Sequence, residues 1–153
     1  MRTFPDCENM LELLAKHRVH YLIIGGQAFA FHAKPRYTKD MDVWVDPSPG
    51  NIQRANAALA EFGSPFSLDA SASTEITQIG MPPNRIDFLL SIKGEKFDAA
   101  WKKRIKGSYG RVLANWTDID TLIRIKSRIA APRHQDDARV LREVKKLRAK
   151  RGR

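Results

Sequence analysis

The sequence predicts an α/β fold: a mixed central sheet flanked by helices, in a single domain over residues 1–150 that ends in a basic helix, with a short basic tail at 151–153. Three observations carry this. Apolar runs bounded by turn residues alternate with stretches of helical periodicity, giving strand, helix, strand, helix over the first 62 residues. A strongly apolar run, residues 85–92, follows a Pro82-Pro83-Asn84 turn and reads as a buried strand. A chain of 153 residues is also long enough to bury one core without disulfides or a structural metal.

In order along the chain, residues 5–18 predict a helix, because Met10, Leu13, Leu14 and Ala15 recur at helical spacing and Pro5 and Asp6 suit a first turn. Residues 19–24 are β-branched and aromatic enough for a buried strand, which Gly25-Gly26 ends. Residues 27–32 suit a short helix whose free N–H groups would face an anion, and Pro35 stops it. Residues 41–45 form the second strand, with Asp40 and Asp42 at its head. A Pro47-Ser48-Pro49-Gly50 turn then feeds a helix carrying Ile52, Ala55, Leu59 and Phe62 on one stripe. Residues 63–72 carry no clear pattern, and residues 75–79 alternate weakly. Residues 97–105 are helix-compatible, and 107–110 read as a turn into a short strand around Val112 and Leu113. Asp118 suits an N-cap for a helix through Ile119, Leu122, Ile123 and Ile129. Val140, Leu141, Val144 and Leu147 mark a final helix that is expected to dock through that stripe and to show its basic face beside the functional cleft.

Composition excludes several classes. Cys7 is the one cysteine and the four histidines are not spaced as ligands with it, so neither a disulfide framework nor a cysteine zinc site is expected. No apolar run approaches the roughly 18–20 residues that span a bilayer, and no signal-peptide pattern opens the chain, so a cytoplasmic protein with no membrane partner is expected. The net charge is +10, much of it in Arg139, Arg142, Lys145, Lys146, Arg148, Lys150, Arg151 and Arg153. Such a face suits a polyanion such as RNA or tRNA, since phosphate neutralisation releases counterions. A solvated helix face ending in a frayed tail accounts for it as well.

The chemistry concentrates in YLIIGGQAFAFHAKPRYTKDMDVWVD, residues 21–46. Asp40 and Asp42, two apart at the head of a strand, point to one side of it, which is a geometry for holding hard cations through oxygen. Asp87 lies within an otherwise apolar strand, where a lone carboxylate is costly unless it is paired, with Arg36 or Arg85, or binds metal. Each piece has a plain reading: a turn for the glycine pair, a solvated pair for Asp-x-Asp, surface charges for Lys126 and Arg133. Asp136 and Asp137 read as acids favoured at a helix start. The loops GxxxxGK[ST] and GxGxxG are missing from the sequence.

The glycine pair, thirteen intervening residues, Asp-Met-Asp and a third acid on a later strand resemble the signature of the DNA polymerase beta-like nucleotidyltransferases. Within them, GGQAFAFHAKPRYTKDMD is most similar to the minimal AbiE-type toxin nucleotidyltransferases, and Lys126 and Arg133-His134-Gln135-Asp136-Asp137 resemble their downstream lysine and basic-acidic helix start. The resemblance implies a nucleotidyltransferase-type sheet and transfer of a nucleoside monophosphate from an NTP to a hydroxyl of RNA, protein or a small molecule, releasing pyrophosphate. It implies Mg2+, with Mn2+ as the alternative ion, held by Asp40, Asp42 and Asp87 as metal ligands and catalytic residues. Gly25, Gly26, Arg36, Thr38, Lys126 and Arg133 would contact the nucleotide. It also implies a cognate toxin or antitoxin as partner. The alternative is a catalytically inactive module of the same fold that binds nucleic acid or regulates a toxin-antitoxin pair.

Overall fold

The structure, a computed structural model, describes residues 2–72 and 74–151. Helix α1 (Pro5–Lys16) leads into strand β1 (Tyr21–Ile24), helix α2 (Gly25–His32), strand β2 (Asp40–Val45) and helix α3 (Pro49–Phe62). After a 3-10 turn at Ala70–Ala72 come β3 (Thr77–Ile79), β4 (Arg85–Leu89), α4 (Phe97–Lys102), β5 (Ile105–Tyr109), β6 (Val112–Trp116), α5 (Ile119–Ser127) and α6 (Pro132–Arg151). The expected α/β fold is found. The six strands lie in the order β3-β4-β2-β1-β6-β5, with β2 and β4 parallel, β1 and β6 parallel, and the other neighbours antiparallel.

The two faces of the sheet differ because side chains alternate along each strand. On one face Tyr21, Ile23, Met41, Val43, Ile86 and Phe88 meet Met10, Leu11 and Leu14 of α1 and Ala55 and Leu59 of α3 in the main core. On the other, Leu22, Ile24 and Trp44 pack under Phe97 and Ala100 of α4, with Ile125 of α5 alongside. That second face carries Asp40 and Asp42 at one end and Trp44 at the other, so it changes from acid to apolar within two residues. Asp118 caps α5 as expected, its carboxylate accepting from the Thr121 N–H at 3.1 Å.

Two expectations shift. Residues 107–109 of the segment 107–110 are strand, and the turn is confined to Gly110 and Arg111: β5 pairs with β6 from Ile105↔Trp116 to Tyr109↔Val112. Its sequence hides this because it is an edge strand with one buried residue, Tyr109, and no apolar alternation. The apolar stripe of α6 docks only in part. Leu141 is fully buried, whereas Leu147 is 54% exposed. Beyond Leu141 the helix is held by polar contacts, Lys145 to Asp120 at 2.6 Å and Arg148 to the His32 carbonyl at 2.9 Å. Of the expected basic tail, residues 152–153 lie outside the described residues. No described helix is long and apolar enough to cross a membrane.

Candidate active site

The site forms where β1 ends and β2 begins. Ile24 pairs with Asp42, so the chain leaves β1 and starts α2 directly beside the Asp42 carboxylate. Gly25 takes a positive φ of 69°, and a Cβ on it would collide with the Asp42 carboxylate oxygen. A Cβ on Gly26 would press on Thr38 at 2.9 Å. The glycine pair therefore lets the backbone approach the acid cluster and the 36–38 loop. Thr38 is fixed in turn, its hydroxyl accepting from Gln27 Nε2 at 2.7 Å.

In the parallel pairing of β2 with β4, Asp42 stands opposite Asp87 and Asp40 opposite Arg85. The carboxylates of Asp40, Asp42 and Asp87 each place an oxygen within 4.8 Å of the others. Burial, with repulsion from Asp40 and Asp87, pushes the Asp42 carboxyl up to about 7. Asp87 is raised by burial and by Asp40. Arg85 spans the cluster, its guanidinium donating to Asp40 at 2.5 Å and to Asp87 at 3.1 and 3.3 Å. Of the two partners weighed for Asp87, Arg85 is the one present.

Arg36 pairs elsewhere. Its guanidinium lies over the Phe29 ring, 3.9 Å from the centroid, and donates twice to Asp137 at 2.5 and 2.8 Å. Lys126, 3% exposed, donates to the same carboxylate at 2.8 Å. Burial alone would raise Asp137, but the hydrogen bonds from Arg36 and Lys126 outweigh it and hold the carboxyl below the ordinary aspartate range. Burial lowers Lys126, with Asp137 opposing. Asp137 is thus more than a helix-start acid: it ties α5, α6 and the 36–38 loop together. Its partner Arg36 lies 101 positions away, and no local pattern announces such a pair.

One cleft of about 550 Å3 gathers these groups. Gly25, Gly26, Arg36, Thr38, Asp40, Asp42, Lys126 and Arg133 line it, joined by Lys39, Arg85 and His134. Of the nine residues singled out from sequence, Asp87 alone is off its lining, 6% exposed behind Arg85. Only the start of α6 reaches the cleft. Its distal basic residues Lys145 and Arg148 meet Asp120 and His32 at the far end, so the positive face expected beside the cleft mostly points elsewhere.

Three convergent carboxylates form an all-oxygen donor set that fits a hard divalent cation. Their mutual repulsion and the guanidinium spanning two of them both mark a place where positive charge is favoured. The surrounding Arg36, Lys39, Lys126 and Arg133 make the adjoining space attractive to phosphates. No protein-family model and no curated sequence matches the chain. Its fold is shared with a solved structure described as the lincomycin-bound lincosamide antibiotic adenylyltransferase LnuA, with a TM-score of 0.64 and 14% identity, covering 93% of this chain and 98% of that one. At that identity the likeness is one of fold, and the sheet is of the expected nucleotidyltransferase type. The narrower likeness to AbiE-type toxins rests on the sequence motif alone.

Proposed function

We propose that the protein is a Mg2+-dependent nucleotidyltransferase that moves a nucleoside monophosphate from an NTP to a hydroxyl and releases pyrophosphate. The observation that carries this is the Asp40-Asp42-Asp87 cluster, built on two paired strands and opening into a cleft walled by the glycine pair at the start of α2 and by several cations. The fold shared with an adenylyltransferase supports it. Asp40, Asp42 and Asp87 would hold the ion, with Mn2+ fitting the same donors. When bound, such an ion would neutralise charge on the phosphoryl group and lower the proton affinity of the acceptor hydroxyl.

The chain's own residues supply the rest. The backbone at Gly25 and Gly26 approaches the triphosphate where a side chain would block it. Arg36, Lys126 and Arg133 counter its charge, and Asp137 keeps the first two in place. Arg85 neutralises the acids in the metal-free protein and must turn aside for an ion to bind. A toxin-antitoxin role and an RNA acceptor have as support the motif and the basic α6.

The test is incubation with nucleoside triphosphates labelled at the α-phosphate, with Mg2+ and with cell lysate as a source of acceptors. The label is expected in a product, with unlabelled pyrophosphate released. Asp42→Asn, nearly isosteric, should lose on the order of 10²-fold or more of that transfer while keeping its circular dichroism. No labelled product, combined with no triphosphate binding in calorimetry, would refute the assignment.

A further inference from the structure

The cationic cleft is only half of the space around Asp42. Gly25, Asp42, Lys126 and His134 also border a second hollow of about 320 Å3, at the low end of the range for small-molecule sites. Apart from Ser91, its other walls are aliphatic: Ile24, Ile76, Leu89, Ile92, Ile125 and Ile129. The alternation of the strands produces this change of character, since Leu89 follows Asp87 by two residues on the same face. Two of the isoleucines stay open to solvent, Ile76 at 53% and Ile129 at 39%. Exposed aliphatic side chains grouped at the rim of a hollow mark a contact surface more than chance. Among the described residues lining it, Lys126 is the one Lys or Arg, and it is committed to Asp137.

The chemistry of displacement separates the two spaces. An incoming oxygen attacks phosphorus opposite the leaving group. Pyrophosphate, a polyanion, belongs with Arg36, Lys39 and Arg133, on the cationic side of Asp42. The attacking hydroxyl then comes from the other side, where the aliphatic slot lies. The end of an RNA chain there would press its phosphates against isoleucines, with Lys126 at the border as the one Lys or Arg among the described lining residues, a costly desolvation. The basic residues of α6 that would attract RNA sit at the opposite end of that helix.

We propose that this slot receives the acceptor, and that the acceptor is a small uncharged molecule presenting its hydroxyl on an apolar body. The inference rests on the nucleotidyl-transfer reading. In the step, the acceptor oxygen forms a bond to the α-phosphorus and the bond from that phosphorus to the α,β-bridging oxygen breaks. Pyrophosphate leaves with the electron pair, and the hydroxyl proton passes to solvent.

The test uses full-length protein with isoleucine methyls labelled for NMR, saturated with Mg2+ and the non-transferable α,β-methylene analogue of ATP. The probe is 1-naphthylmethanol, one hydroxyl on an apolar bicycle. Saturable shifts are expected at Ile76, Ile92, Ile125 and Ile129. Ile129→Asp and Ile76→Asp should each weaken probe binding about tenfold by setting a carboxylate against the apolar body, while affinity for the ATP analogue is unchanged. Both positions are solvent-exposed, so the fold is retained. No shifts at millimolar probe would overturn the proposal. So would displacement of the probe by a short RNA, or loss of ATP-analogue affinity in both variants, which would give the slot to the nucleobase. Failure of the wild type to bind the ATP analogue at all would instead sink nucleotidyl transfer itself, and the proposal with it.

Discussion

At the scale of single residues, the site is a set of opposed charges, and two of them make sharp tests. Arg85 holds Asp40 and Asp87 together through its guanidinium and so competes with any cation for the same oxygens. Arg85→Gln is expected to lower the melting temperature of the metal-free protein, because the acids lose their shared partner. It should also bind Mn2+ several-fold more tightly in calorimetry, and weaker Mn2+ binding would mean that Arg85 supports the ion. Asp137 tests the second network. Its carboxyl is held below the ordinary aspartate range, so its contribution to stability is present above that range and fades as pH falls through the lowered value. Asp137→Asn leaves Lys126 buried without its counter-charge, which costs about 3–5 kcal/mol. Urea midpoints of variant and wild type should differ most at neutral pH and converge progressively below about pH 4. A gap independent of pH would show that packing, not charge, is what Asp137 supplies.

At the scale of elements, β5 shows what the sequence conceals. Gly107 is in that edge strand because a Cβ there would stand 2.6 Å from the Phe31 ring, which stacks on Trp116 at 4.3 Å between centroids. Gly107→Ala should therefore cost about 1–3 kcal/mol by overpacking, read as a lower urea midpoint with an unchanged slope. If stability were unchanged, the aromatic stack would not be confining that glycine. From the sequence this glycine signals a turn, since its steric reason, Phe31, lies far off in the chain. The strands around the site are legible because β1, β2 and β4 are short apolar runs punctuated by Gly, Pro and Asp, the acids themselves lying on β2 and β4. The nearness of Asp42 and Asp87 was legible only through the motif, since parallel pairing of β2 with β4 leaves no local trace. The pairing of Arg36 and Lys126 through Asp137 had no sequence signal at all. The helical period of α6 was right, yet its burial past Leu141 was not, because periodicity shows that a stripe exists and not how far the body beneath it extends.

At the scale of the whole molecule, two kinds of surface meet at Asp42, a cationic cleft and an aliphatic slot, while the distal half of α6 carries a separate basic face. Removing residues 150–153 takes away Lys150, Arg151 and Arg153, and of the described residues among them neither Lys150 nor Arg151 lines either space. The truncated chain should keep its melting temperature and its nucleotide affinity. RNA binding, if α6 provides it, should weaken and depend less steeply on salt. Equal RNA affinity and salt slope would show that the basic end is only solvated. The most direct test of the central claim is an anomalous difference map from crystals soaked with Mn2+ and a non-transferable NTP analogue. A peak bounded by Asp40, Asp42 and Asp87 is expected, with the triphosphate against Gly25 and Gly26 and the Arg85 guanidinium displaced from the acids. A map with no peak there, and Arg85 still spanning Asp40 and Asp87 at saturating ion and nucleotide, would contradict it.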